Sequence, residues 1–127
     1  MFDLAQLDSR AFAEKGIEVD ILHRETGKST GIKIRVQGAD SMAYKNAMLS
    51  SARNAKKDQT AEDACMIGAE IVAKITLGWS GLAADGEEIE FSYDKAVEMY
   101  YRFDWVANQV LAAVNDSSRF LVNAKTS

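Results

Sequence analysis

Residues 17–21 read IEVDI and residues 32–36 read IKIRV, and in both runs apolar side chains alternate with charged ones. A period of two is typical of β-strands that are buried on one face. Between the runs, residues 24–29 (RETGKS) contain Gly27, which can supply the positive φ angle of a tight turn. These features predict an antiparallel β-hairpin within residues 16–38.

The register of this hairpin follows if both apolar sets share one face. A single register meets this condition and predicts three apolar pairs: Ile21 with Ile32, Val19 with Ile34, and Ile17 with Val36. The same register places opposite charges across the outer face: Asp20 with Lys33, and Glu18 with Arg35. Because an isolated hairpin is only marginally stable in water, its apolar face is expected to pack on the rest of the chain.

Two helices are predicted after the hairpin. Asp40 or Ser41 is expected to cap the first, which runs to about residue 57. The second begins with residues 60–63 (TAED), whose two acids favour a helix N-terminus, and Gly78 stands where a C-cap glycine belongs. The predicted apolar stripes are Tyr44, Ala47, Met48, Ala52 and Ala55 in the first helix, and Ala64, Ile67, Gly68, Ile71, Val72 and Ile75 in the second.

Two further helices are predicted in the C-terminal part. Ser92 is expected to cap the third, with Phe91 and Ala96 spaced as a hydrophobic staple. Asp104 is expected to cap the fourth, which ends within residues 115–118 (NDSS).

The predicted elements indicate one α+β domain over residues 1–127 that is mainly α, with an N-terminal β-hairpin packed on about four helices. Residues 1–15 form a possible arm, residues 40–121 the helical region and residues 122–127 a polar tail.

Charge and composition exclude several classes of partner. The net charge is −4, and residues 60–100 alone carry nine acidic and two basic side chains. Nucleic acid is not expected as a ligand, because phosphate binding needs a clustered basic face. No apolar run approaches the roughly 20 residues that cross a bilayer, and the N-terminus lacks the pattern of a signal peptide. With its single cysteine, the chain is expected in the cytoplasm, without membrane contact.

The residue types that carry chemistry are sparse. His23 is the only histidine, and Cys65, the only cysteine, is predicted to be a small buried apolar residue. Residues 85–86 (DG) predict a tight turn rather than a calcium site, and residues 27–29 (GKS) lack the preceding glycine of a phosphate-binding loop. No catalytic, cofactor or metal site is therefore predicted, and the chain is not expected to be an enzyme.

The segment between the second and third helices is unusually apolar for a connection, since it carries Trp79, Leu82, Ile89 and Phe91. Aromatic residues dominate protein cores and also the hot spots of interfaces. Five further aromatic residues follow this segment: Tyr93, Tyr100, Tyr101, Phe103 and Trp105. At least one side chain of this whole cluster is expected to meet a partner or a sister subunit, and the sequence leaves open whether Trp79 belongs to the core or to that interface. The predicted partner-binding residues are Trp79, Leu82, Ile89, Phe91, Tyr100 and Tyr101.

Residues 78–82 (GWSGL), 85–92 (DGEEIEFS) and 105–110 (WVANQV) resemble the tail assembly chaperones of long-tailed bacteriophages. In that family a tryptophan follows a long helix, and a W-x-G loop leads to a D-G-x-x-(I/L)-x-F-S entry into the next helix. A late phenylalanine is comparable to Phe120. The resemblance covers roughly residues 17–121, including the hairpin, and departs from the family at residues 83–84 (AA), where an acidic loop is common.

The resemblance implies a non-enzymatic chaperone that coats the tape measure protein, keeps it soluble and helps to recruit tail tube protein. It also implies that the chain self-associates as a homo-oligomer in the cytoplasm of the infected host and is absent from the mature virion. Two alternatives remain open at this point: a structural tail or neck component of the phage particle, and an unrelated cytosolic adaptor.

Overall fold

The computed structural model describes residues 13–53 and 58–116. The elements in chain order are β1 (Ile17–Leu22), β2 (Ser29–Val36), α1 (Met42–Arg53), α2 (Ala61–Ile75), β3 (Thr76–Ser80), β4 (Ala83–Ala84), β5 (Glu87–Glu88), α3 (Tyr93–Arg102) and α4 (Asp104–Val114). The predicted fold class, α+β with mainly helix, is confirmed. Residues 1–12 of the predicted arm and the predicted tail lie outside the described residues.

Strands β1, β2 and β3 form one antiparallel sheet in that order. The predicted register is confirmed at four pairs: Ile17 with Val36, Glu18 with Arg35, Val19 with Ile34, and Asp20 with Lys33. The predicted pair of Ile21 with Ile32 is wrong, because a bulge shifts the strands after Asp20 and sets Leu22 opposite Ser29.

Polar contacts to the backbone of β1 hold this bulge. The Thr30 hydroxyl donates a hydrogen bond to the Ile21 carbonyl oxygen at 2.7 Å. The side-chain amide of Gln109 in α4 accepts from the Leu22 N–H at 2.9 Å and donates to the Leu22 carbonyl oxygen at 2.8 Å. Gly31, with φ of 85°, provides backbone geometry that few other residues adopt. Gln109 thus supplies hydrogen-bond partners for the backbone N–H and carbonyl groups of Leu22, the last residue of edge strand β1.

The third strand of the sheet begins directly where α2 ends, and the sequence did not predict it. Thr76 follows the last helical residue with an extended backbone, and its hydroxyl donates to the Val72 carbonyl oxygen at 2.8 Å. The predicted C-cap role of Gly78 is therefore wrong, since Gly78 lies inside β3 opposite Arg35. Pairing with β2, rather than a glycine turn, ends the helix.

Two of the three predicted caps, Ser41 and Ser92, are confirmed, and Thr60 caps the helix that was predicted to begin at residues 60–63. The hydroxyls of Ser41, Thr60 and Ser92 each accept a backbone N–H from the first turn, at 3.2, 3.1 and 3.2 Å respectively. The predicted cap at Asp104 is wrong: Asp104 is the first helical residue of α4, and Phe103 precedes it without a side-chain cap.

Helix α1 is less buried than its predicted stripe requires. Ala47 is buried, whereas Met48 is 45% exposed and Ala52 is exposed, so the prediction is wrong for both. Ala55 lies outside the described residues. In α2, predicted Ala64 is likewise exposed, and the first fully buried residue of the helix is Ala69.

The inner face of the sheet and helices α2, α3 and α4 enclose one core. Tyr100 of α3 is its largest fully buried side chain and is 1% exposed. The single hydroxyl hydrogen of Thr76 goes to Val72, so the Tyr100 hydroxyl donates to the Thr76 oxygen, at 2.8 Å. Burial raises the pKa of the Tyr100 phenol to about 12. This contact joins α3 to the junction of α2 and β3.

Candidate binding groove

The segment after β3 folds into a short two-stranded ribbon, β4 and β5. Asp85 and Gly86 connect the strands with φ angles of 52° and 83°, so the predicted tight turn is confirmed. Gly81 enters the ribbon with φ of 74° at a point where a Cβ atom would overlap the carbonyl oxygen of Gly31. The ribbon therefore starts from a close approach of two backbones that requires glycine.

Trp79 ties this ribbon segment to the sheet. It pairs with Ile34 across β2 and β3, and its ring is half-buried against the core. The indole Nε1 donates a hydrogen bond to the Ile89 carbonyl oxygen at 2.9 Å. The Trp79 and Phe91 rings form an edge-to-face pair with a centroid distance of 4.9 Å and an interplanar angle of 90°. The ring thus closes one side of the core and remains partly accessible.

An open groove of about 770 Å³ lies between the ribbon segment and α3. One wall is formed by residues 82–84 and 87–90, and Trp79 also lines the groove. The other wall is one face of α3 together with the residue that follows the helix: Lys95, Glu98, Met99, Arg102 and Phe103.

The predicted partner-binding residues separate into three groups. Trp79, Leu82 and Ile89 line the groove, and Phe91 supports Trp79 from behind. Tyr100 is wrong as a partner-binding residue, because its side chain is buried in the core. Tyr101 faces α2 instead.

Tyr101 belongs to a second, smaller groove of about 390 Å³ between α2 and α3. Its hydroxyl donates to a carboxylate oxygen of Glu62 at 2.9 Å, and this hydrogen bond raises the pKa of Tyr101. Tyr93, 42% exposed, also lines this groove, and burial together with the nearby carboxylates of Glu70 and Asp94 raises its pKa. The two grooves flank α3 on opposite sides and share Glu98.

The groove residues absent from the predicted partner-binding set come from the α3 wall, and of these only Phe103 was among the aromatic candidates in the sequence. Met99 and Phe103 supply apolar surface, and Lys95 and Arg102 supply charge. The spacing of Lys95, Met99 and Arg102, at i, i+4 and i+7, places them on one helix face and is the signal that could have found them. The Arg102 guanidinium lies 5.5 Å from the centroid of the Phe103 ring, which stabilises the ring at the mouth of the groove.

The sparse chemical residues lie away from the groove. His23 is exposed at the start of the hairpin turn. Cys65 is exposed on α2, so its predicted burial is wrong; the first two turns of that helix extend beyond the well-packed part of the core. Within residues 13–53 and 58–116, no three histidine, cysteine or acidic side chains are grouped so that they could hold a metal ion. The same residues contain no helix long and apolar enough to cross a membrane.

Comparison with known proteins finds no matching family, no matching curated protein and no matching solved structure.

Proposed function

We propose that this chain is a non-enzymatic tail assembly chaperone of a long-tailed bacteriophage, which binds the tape measure protein and keeps it soluble. The family resemblance of residues 78–92 suggests the partner, and the groove beside those residues supports a binding role. In this proposal the chain works in the cytoplasm of the infected host, recruits tail tube protein and is absent from the finished virion.

The observation that carries the proposal is the apolar lining of the open groove. Its apolar side chains are Trp79, Leu82, Ile89, Met99 and Phe103, and charged side chains line it beside them. Its volume of about 770 Å³ lies within the range of pockets that hold specific ligands. From Lys95 to Arg102 the α3 wall is about 10 Å long, which corresponds to about two turns of a bound helix. An amphipathic helix laid into such a groove buries its apolar face.

A footprint of two turns is small, so a single contact is expected to be weak. A tape measure protein is a long amphipathic helix, and many copies of the chaperone along it gain avidity if they also contact one another. This is the role that we propose for self-association. Weak individual contacts also permit release when tail tube protein arrives.

Co-expression with the tape measure protein tests the proposal. We expect the tape measure protein to be soluble with the wild-type chain and mostly insoluble with the Phe103→Ser variant, which removes apolar surface from the groove. Leu49→Ser is the matched control, because Leu49 is 55% exposed on α1 and lies outside the groove. Equal solubility of the tape measure protein with and without the wild-type chain would rule out the chaperone function.

Mass spectrometry of purified virions separates this proposal from a structural role. A chaperone is expected to be missing from the particle, whereas a tail or neck component would be present in a fixed copy number. Detection of the chain at a constant ratio to tail tube protein would favour the structural role.

A further inference from the structure

The two walls of the groove carry opposite net charge. The ribbon wall has three acidic side chains and no basic one: Glu87, Glu88 and Glu90. The α3 wall has Lys95 and Arg102 and one acid, Glu98, which also lines the smaller groove on the other side of the helix. The ribbon wall therefore presents three negative charges, and the α3 wall one net positive charge.

These charges do not neutralise one another across the groove. Among the described residues, no ion pair within 4.0 Å joins one wall of the groove to the other; Lys33 and Glu18 pair at 3.7 Å, but on the outer face of the sheet. The side chains of Glu87, Glu88 and Lys95 therefore remain available to a molecule that lies between the walls.

We propose that the groove selects an amphipathic helix with a basic flank on the ribbon side and an acidic flank on the α3 side, and that this charge order fixes the direction in which the helix binds. The inference rests on the proposed function, because it assumes that a helical segment occupies the groove. It adds the charge pattern and the polarity of that segment.

The direction follows from the symmetry of a helix. When a bound helix is turned end to end with its apolar stripe still facing the groove, its two flanks exchange places. Against walls of equal charge both directions would have similar free energies. Against an acidic and a basic wall, one direction makes two favourable flank contacts and the other makes two unfavourable ones. Charges at an interface rim act mainly on specificity and orientation, and each exposed pair changes affinity by about threefold.

Synthetic helical peptides of about 20 residues test the charge pattern. Three peptides share one leucine stripe and differ in their flanks: one basic and one acidic, both basic, or both acidic. By fluorescence anisotropy at low salt we expect the mixed-flank peptide to bind about tenfold more tightly than the all-acidic one and about threefold more tightly than the all-basic one. Added salt should reduce these ratios. Equal affinities for the three peptides would overturn the proposal.

Charge reversal on the α3 wall provides the second test. With Lys95→Glu and Arg102→Glu together, both walls become acidic, so we expect the all-basic peptide to become the tightest ligand by about tenfold. The matched control is Lys45→Glu with Arg53→Glu, which changes net charge equally on α1, outside the groove. The control should keep the wild-type preference. An identical change of preference in the control would attribute the selectivity to overall charge and contradict the proposal.

A spin label at either end of the mixed-flank peptide reads the direction of binding. We expect the label at one peptide terminus to broaden amide signals near Lys95, and the label at the other terminus to broaden those near Phe103. A second peptide, in which the basic and acidic flanks have changed places, should bind in the opposite direction, so that each labelled terminus broadens the other set of signals. Broadening at both ends from a single label position would show that direction is not selected.

The outcomes separate this inference from the proposed function. Charge-selective peptide binding without an effect on tape measure solubility would reject the chaperone function and keep the groove specificity. If the α3 charge reversal does not change the solubility of the tape measure protein, the groove specificity would be rejected and the chaperone function kept. If a second copy of the chain occupies the groove instead, sedimentation would show a dimer that Phe103→Ser dissociates, and an excess of the mixed-flank peptide would leave that dimer intact; this result would overturn the proposal.

Discussion

The surroundings of Tyr100 and of Trp79 show how differently one chain can use its large aromatic residues. Tyr100 is enclosed on all sides, and its one polar atom is bonded to Thr76. Trp79 is half-buried, its N–H is bonded to the Ile89 carbonyl oxygen, and it lines an open groove. The core around Tyr100 is expected to determine stability, whereas the groove beside Trp79 offers surface to a partner.

Substitution in the core should have the largest effect on folding. Ile34 is fully buried in the central strand and lies between Val19 and Trp79 in the sheet. We expect Ile34→Ala to lower the free energy of unfolding by about 3–4 kcal/mol, because it leaves a cavity that the sheet cannot collapse to fill. Urea denaturation measures this change. Leu77→Ala is the control at an exposed position of the same sheet. An equal loss of stability in this variant would show that burial of Ile34 in the core does not determine stability.

Alkaline pH should weaken the core through Tyr100. Its pKa is raised by burial from 10.0 to about 12, so the neutral phenol is favoured in the folded state. This stabilisation is complete below pH 10 and is lost as the pH rises towards 12, with a total of about 3 kcal/mol. Urea denaturation at several alkaline pH values should show a steep decline for wild type and a shallower one for Tyr100→Phe. That variant should also be about 1 kcal/mol less stable at neutral pH, because the Thr76 oxygen loses a donor. If the free energy of unfolding fell equally with pH in wild type and in Tyr100→Phe, the raised pKa of Tyr100 would not be the cause of the decline.

The boundary between the two regions can be tested at Gly81. A side chain there combines an unfavourable positive φ with overlap on the Gly31 carbonyl oxygen. We expect Gly81→Ala to cost about 2–3 kcal/mol and to displace the ribbon wall of the groove. Gly86→Ala shares the positive φ but has open space around its Cβ, so it should cost only about 1 kcal/mol. If both variants lost the same free energy of unfolding, the close approach of Gly81 to the Gly31 backbone would make no measurable contribution to stability.

Trp79 should respond as a residue of both regions. Trp79→Ala removes half-buried surface and one hydrogen bond, and we expect a loss of about 2 kcal/mol, less than for a tryptophan buried in a core. Peptide affinity should fall as well. Trp79→Phe keeps a ring beside Phe91 but loses the bond to Ile89, so about half of the stability should return. A loss as large as that of Ile34→Ala, with unchanged peptide binding, would place Trp79 in the core alone.

The sequence predicted the hairpin well, because a period of two and matched charges act over a few residues. It missed the bulge at the end of β1, since that depends on Gln109, 87 residues away, and on the backbone of Gly31. It also assigned Gly78 to a helix end. Pairing with β2 is a tertiary contact, and the bulge of β3 interrupts the alternation that would reveal a strand.

Only part of the groove was predictable, because local sequence patterns reveal one of its walls and tertiary contacts form the other. Trp79, Leu82 and Ile89 are conspicuous because they are apolar residues in a connection. On α3, however, apolar residues face the core and both grooves: Tyr100 is fully buried, whereas its neighbour Met99 is only partly buried and lines the larger groove. Only the position of the ribbon against α3 distinguishes them.

Phe103 should show the smallest effect on stability and a clear effect on binding. Its ring is 43% exposed at the mouth of the groove and lies under the Arg102 guanidinium. We expect Phe103→Ala to change the free energy of unfolding by less than about 1 kcal/mol, because little of its surface is buried in the free chain. Peptide affinity should fall about tenfold, as for an interface hot spot.

Leu49→Ala is the control for this last variant, since it removes an exposed apolar side chain from α1, outside the groove. It should change neither unfolding nor peptide affinity. The ratio of binding loss to stability loss then orders Ile34, Trp79 and Phe103 along one scale from core to groove. If Phe103→Ala destabilised the chain as much as Trp79→Ala while peptide binding was retained, the mouth of the groove would be part of the packed structure and the binding surface would lie elsewhere.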